Sequence, residues 1–166
     1  MAAASKIFAG HGVSYAISIR LPPQVTHSQA VGIVKQSFSA FGFGLPPGTT
    51  DLDMAAVLES KGFACGSCNK YHVLGFCSPP HAARALTVEP AIGVLLPCNV
   101  AIASETDDVV EVAAMDPSMM LGLVANKEEM KPLIDEIQSL IKSAMGAVEA
   151  ASGNVADSQR ESESVA

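Results

Sequence analysis

The first clear pattern is strict alternation. In residues 13–21 (VSYAISIRL), Val13, Tyr15, Ile17 and Ile19 alternate with Ser14, Ala16, Ser18 and Arg20, which is the period of a half-buried strand. Pro22 and Pro23 end it. The period then changes, with Ala30, Ile33, Val34, Phe38 and Phe41 recurring at helical spacing up to Gly42. Thr26 and Gln29 supply a capping box for that helix. A short extended piece follows, and Thr50 or Asp51 caps a second short helix carrying Met54, Val57 and Leu58 and stopping at Gly62.

Residues 71–77 predict another strand, and Ser78 caps a helix whose first position is Pro79, where a missing N–H costs nothing. Glu89 and Pro90 end that helix. The run 92–104 predicts one long strand, apolar on both faces around 94–96 and therefore central. After the acidic turn 105–108, residues 109–115 return as its antiparallel partner. Asp116 and Pro117 cap a short helical turn containing Met119, Met120 and Leu121.

The last helix has the cleanest stripe: Met130, Leu133, Ile134, Ile137, Leu140, Ile141, Met145 and Val148. Pro132 inside a helix costs about 3 kcal/mol. The expectation is therefore a turn over 126–130 and a main helix starting near Pro132. From 151 the chain turns polar and loses its period, which predicts a disordered acidic tail over 151–166 behind a single domain at 12–150 and an extension at 1–11. The class is α+β, a mostly antiparallel sheet with helices on one face. A doubly wound sheet is disfavoured because no crossover helix separates 92–104 from 109–115.

Composition narrows the partners. The 166 residues carry a net charge of −7, and the ten Lys and Arg are scattered, which disfavours nucleic acid and anionic membrane. The longest apolar run, 91–103, is well short of the roughly 20 residues of a membrane span. The N-terminal residues lack the apolar stretch of a secretory signal. Four cysteines in such a chain point to a reducing cytoplasmic setting, with thiols free or bound to metal.

The candidate chemistry is sulfur. Cys77 closes a strand just before a helix start, where exposed N–H groups favour a thiolate; its plainer role is a small buried hydrophobe. Cys98 falls inside a strand, and matters only if its sulfur faces Cys77. His81, one helical turn from Cys77, could serve as its base, against the commoner role of a surface histidine. Cys65 and Cys68 form a C-x-x-C pair without the strand-then-helix context of a thioredoxin motif. All four cysteines together could make a tetrahedral zinc site, although no cofactor is the first expectation. Asp53, Ser78, Asn99 and Asp116 are candidate ligand contacts, with capping the simpler role for the two aspartates. His11 and His27 are expected in solvent at element ends, and His72 at an edge.

Residues 73–102 (VLGFCSPPHAARALTVEPAIGVLLPCNVAI), the later AAMDPSMMLGL, the Phe-Gly-Phe-Gly at 41–44 and Asp51-Leu52-Asp53 together resemble the family named domain of unknown function number 302. The likeness covers about residues 12–148 and is sharpest at Cys77 with Pro79, at Pro97-Cys98-Asn99 and at Asp116-Pro117. It implies a strand–helix–four-strand–helix layout akin to TATA-binding-protein-like folds, and a homodimer. It implies neither DNA binding nor any reaction. This chain has Ala83 where many members carry a histidine, and its Cys65–Cys68 pair is an addition.

Three functions from different classes follow. The first is a dimeric module binding a small molecule or sulfur species near Cys77 and Cys98; the second is a redox or thiol-transfer enzyme using Cys77; the third is a zinc-stabilised structural protein.

Overall fold

The computed structural model describes residues 7–8 and 14–164. Its elements are β1 (Ala16–Arg20), α1 (His27–Ala40), β2 (Asp51–Asp53), α2 (Met54–Ser60), β3 (Lys70–Phe76), α3 (Pro79–Val88), β4 (Cys98–Thr106), β5 (Val109–Met115) and α4 (Lys127–Ser164). Two 3-10 segments, Pro90–Leu95 and Pro117–Gly122, lie on either side of the β4–β5 hairpin. The five strands form one antiparallel sheet in the order β1-β5-β4-β3-β2. This is the expected α+β class, with one strand, a helix, four more strands and a long final helix.

Local chemistry explains the starts and stops. The Thr26 side chain accepts the Gln29 N–H at 3.3 Å while Gln29 Oε1 accepts the Thr26 N–H at 2.9 Å, so the capping box of α1 is complete. Gly42, at φ 80°, takes the left-handed conformation that ends the helix. Asp53 caps α2 by accepting the Ala56 N–H at 3.0 Å. The expected cap at Thr50 or Asp51 is thus displaced, because 51–53 pairs with β3 before the helix begins.

The pleat sorts the sheet into two faces. Ile17 and Ile19, Val110, Val112 and Ala114, Val100 and Ile102, and Leu74 and Phe76 all belong to the main core. That core is closed by Ala30, Val34 and Phe38 of α1 and by Ile141, Ala144, Met145 and Val148 of α4. A second cluster joins Ala85 of α3, Ile92, Met120 and Val124 to Met130, Leu133 and Ile134 at the start of α4. The alternate positions, in register across the ladder, form the opposite face: Ser18, Ala113, Ala101 and Val73 in one row, Arg20, Glu111, Ala103 and Tyr71 in the next.

Three expectations are corrected. The run 92–104 is not one strand: Pro90–Leu95 is a 3-10 segment, and only Ile92 is buried there while Val94 is 87% exposed. Its apolar letters mimic a covered strand, but Pro90 and Pro97 bracket it and the ladder begins at Cys98. The final helix begins at Lys127 and carries Pro132 within it. Pro132 is exposed, so water can satisfy the carbonyl that its missing N–H leaves unpaired. Finally, α4 runs to Ser164 in place of a disordered tail, since Ser152 and Ala156 are buried and Val155 packs on the core, one turn after another beyond Val148. Val13 and His11 lie outside the described residues.

Candidate functional site

The corner where β3 gives way to α3 is held from several sides. Phe38 stacks on Phe76 with ring centroids 4.6 Å apart, and Phe43 leans on Phe38 at 5.7 Å. Next to Phe43, Gly44 exchanges two backbone hydrogen bonds with Cys77: the Gly44 N–H donates to the Cys77 carbonyl at 2.8 Å and the Cys77 N–H to the Gly44 carbonyl at 2.9 Å. The Phe-Gly-Phe-Gly stretch therefore ends α1, fills the core and pins Cys77.

Cys98 arrives from the other direction. It pairs with Phe76 in the β3–β4 register, so its side chain turns to the core face one position from Cys77. Gly75 sets that approach: a Cβ there would stand 2.8 Å from Pro97 Cγ and 3.2 Å from the Thr50 nitrogen. Any side chain at 75 would push the start of β4 away.

Both thiols, with Ser78, His81, Leu96 and Ile137, line one cavity of about 30 Å³. The four cysteines are all free; Cys98 is buried and Cys77 half-buried. Burial, then the neighbouring Cys77, pushes the Cys98 thiol up to about 11. It therefore stays protonated near neutral pH, and Cys77 is the more accessible sulfur.

His81 sits three residues into α3 but does not turn a nitrogen to either sulfur. Its Nδ1 shares a 2.7 Å hydrogen bond with Ser78 Oγ. Its Nε2 lies 3.2 Å from Glu136 Oε1 on α4, within ion-pair range yet off the hydrogen-bond axis. Arg84, one turn on, donates to Glu136 Oε2 at 2.8 Å. Arg84, and after it His81, holds the Glu136 carboxyl below its usual range. Ser78, buried, is the backbone cap of α3, but its hydroxyl is committed to His81 rather than to an amide.

The remaining expected residues disperse. Asn99 follows Cys98 and so points to the other face of the sheet, exposed. Asp53 is the exposed cap of α2. Asp116 caps the 3-10 segment Pro117–Gly122, accepting from the Ser118 N–H at 2.9 Å and Gln138 Nε2 at 2.7 Å. Burial pushes its carboxyl up, but the Ser118, Gln138 and Lys142 groups together outweigh that and leave it lowered.

Cys65 and Cys68 stand apart in the loop before β3, joined by a turn in which the Cys68 N–H donates to the Cys65 carbonyl at 3.0 Å. Burial, then Cys65, raises the Cys68 thiol. Among the described residues no three His, Cys, Asp or Glu side chains stand together as a metal-binding group. The four-thiol zinc site is therefore not assembled: the thiols of the C-x-x-C loop and those of the β3–β4 corner are separate pairs.

One polar cluster was missed from sequence. His27, at the start of α1, shares a 2.7 Å hydrogen bond between its Nδ1 and Ser104 Oγ, and its ring lies 6.5 Å from that of His72. His72 Nε2 is 2.8 Å from Asp51 Oδ1, and Lys35 donates to Asp51 Oδ2 at 2.8 Å. Burial first, then His72 and Lys70, lowers the His27 pKa, against a smaller opposite pull from Asp53. The Lys35 hydrogen bond, then His72, lowers that of Asp51. His72 is thus inside β3 on the helix-covered face rather than at an edge, and His27 is half-buried rather than solvated. The alternation His72, Leu74, Phe76 was the available signal.

With this geometry in hand, the comparisons are informative about fold and silent on reaction. The profile of the family described as "Domain of unknown function DUF302" matches residues 18–148. Among solved structures, the crystal structure of an uncharacterized conserved protein DUF302 from Bacillus stearothermophilus is similar with a TM-score of 0.70 at 18% identity, covering 82% of this chain and 99% of that one. At that identity the likeness is one of fold. No curated protein matches. No helix among the described residues is long and apolar enough to cross a membrane.

Proposed function

The chain belongs to the DUF302 family, and from that membership and the corner geometry we propose that the domain binds a small sulfur species at Cys77 and Cys98. The observation that carries this reading is that two thiols, 21 positions apart in the chain, open onto one cavity of about 30 Å³ beside Ser78 and His81. A space of that size takes one or two atoms of water dimensions, which fits a hydrosulfide or the outer sulfur of a persulfide and excludes a bulky substrate.

The chemistry balances without an outside oxidant. A Cys77 thiolate attacks the outer sulfur of a small persulfide R–S–SH; the S–S bond breaks, the sulfur stays as Cys77–S–SH, and R–S⁻ leaves with the electron pair. Resolution by Cys98 would release hydrosulfide and leave a Cys77–Cys98 disulfide. Because burial keeps Cys98 protonated until about pH 11, that second attack is slow at neutral pH. The arrangement favours holding sulfur over turning it over. Both nitrogens of His81 face Ser78 and Glu136, which also weighs against a nucleophilic Cys–His enzyme.

Incubation with inorganic polysulfide followed by intact-mass and peptide mass spectrometry tests the reading. A gain of one sulfur atom on Cys77, lost in Cys77→Ser and kept in Cys98→Ala, is the expected result. Sulfur found only on Cys65 or Cys68, or on no cysteine, would end it. We also propose the homodimer, which the resemblance of the sequence implies; sedimentation at the monomer mass would refute it.

A further inference from the structure

The loop before β3 holds a second pair of thiols that the sulfur corner does not use. Cys65 and Cys68 are both free and half-buried, and Gly66 and Ser67 between them are exposed. The Cys68 N–H donates to the Cys65 carbonyl at 3.0 Å, which closes a four-residue turn. Gly66 has φ 56° and Ser67 is not at positive φ, the sign pattern of a type II′ turn. A turn brings its end Cα atoms within about 7 Å, and a disulfide spans about 4.4–6.8 Å between Cα atoms. The two sulfurs are thus within reach of one another across the turn.

The surroundings set the direction of their chemistry. The loop leads into β3 and not into a helix, so no helix N-terminus favours a thiolate here. Burial first, then Cys65, raises the Cys68 thiol; Ser67 pulls the other way by a hydrogen bond, and Glu105 and Glu111 add to the rise. Strongly oxidising dithiol pairs are those whose reduced form is stabilised. A pair whose thiolate is disfavoured runs the other way and gives up its electrons. Tyr71, three residues on from Cys68, has its phenol raised by burial and then by Cys68 and Cys65. With Tyr15, Asn99 and Ala101 it borders a cavity of about 380 Å³ on the sheet face turned away from α1 and α4. That volume is in the range of small-molecule sites, so an organic group has room beside the loop.

We propose that Cys65 and Cys68 form a dithiol centre that reduces small-molecule disulfides, with Cys65 attacking and Cys68 resolving. The Cys65 thiolate attacks one sulfur of R–S–S–R; the S–S bond breaks, Cys65–S–S–R forms, and R–S⁻ leaves with the electron pair. The leaving thiolate takes the Cys68 proton. The Cys68 thiolate then attacks the Cys65 sulfur and expels the second R–S⁻, which solvent protonates. The small disulfide gains two electrons and departs as two thiols, and the pair ends as the Cys65–Cys68 disulfide. An external dithiol returns it to the reduced form. Cys68 suits the second role because its raised thiol keeps its proton until a thiolate product can take it. Once Cys65 is held in the mixed disulfide, its charge no longer opposes a Cys68 thiolate. This centre does not rest on the reading of Cys77 and Cys98, and either can fail alone.

The test equilibrates the reduced full chain with about 1 mM reduced and about 0.1 mM oxidised glutathione, followed by acid quench, alkylation and peptide mass spectrometry. Most chains are expected to carry a disulfide joining Cys65 to Cys68. Cys68→Ser is expected to hold glutathione on Cys65, and Cys65→Ser to load Cys68 at least about tenfold more slowly. Should either variant fail to fold, alkylation of the native wild-type chain decides the order, with Cys65 expected to react at least about tenfold faster than Cys68. A pair that stays mostly reduced, bridges that join Cys65 or Cys68 only to other cysteines, or equal rates at the two thiols overturn the proposal.

Discussion

A single imidazole shows what position does to chemistry here. His27 is placed by α1 against β4, where burial disfavours its protonated form and His72 and Lys70 add positive charge. Its folded pKa lies below the usual imidazole value of about 6.5, so between those two values the unfolded chain binds more protons than the folded one. Stability from this group is therefore full above pH 6.5 and falls as pH drops toward the folded pKa. Urea unfolding across pH 5 to 7.5 should show that decline, and His27→Gln should flatten it. An equally steep variant would place the effect in a different titrating group. None of this was legible from the residue alone. His27 stands at a helix start in sequence, and only the register of β3 on β4 brings Ser104 and His72 to it.

Elements were readable where one local rule decided them. Thr26 with Gln29 and Gly42 set the limits of α1 without tertiary help, and Asp116-Pro117 announced the 3-10 turn that follows β5. The rules failed where hydrophobicity carried no period. Residues 90–95 are apolar, yet Val94 is almost fully exposed, because the chain turns too tightly between two prolines for alternation to apply. The corner depends on an absence of side chain that the sequence does not explain by itself. Gly75→Ala would put a methyl 2.8 Å from the Pro97 ring, at an expected cost of about 1–3 kcal/mol. Denaturant midpoints measure that cost. Because the clash displaces Pro97, the variant should also make Cys98 react faster with a thiol reagent in the native state.

At the scale of the molecule, α4 is the spine. Its first turns seal the second core cluster, its middle seals the main one, and its last turns continue that seal through Ser152, Val155 and Ala156. The family match stops at 148, so these later turns add to the matched region. Ending the chain after Val148 is expected to remove about 2 kcal/mol and lower the melting temperature by roughly 4–8 °C; an unchanged melting curve would show the added turns to be decorative. The polar letters beyond 151 concealed this, since only one residue in each turn faces inward. A different consequence follows from β4, where Cys98 and Asn99 are chain neighbours assigned to opposite sides of one sheet. Cys98 gives its side chain to a sulfur-lined chamber, and Asn99 and Ala101 give theirs to one bordered by Tyr15 and Tyr71, back to back across a single backbone. Either room can be refurnished by mutation while its neighbour keeps every wall, but a one-residue slip of β4 between its two partner strands would exchange what each side presents.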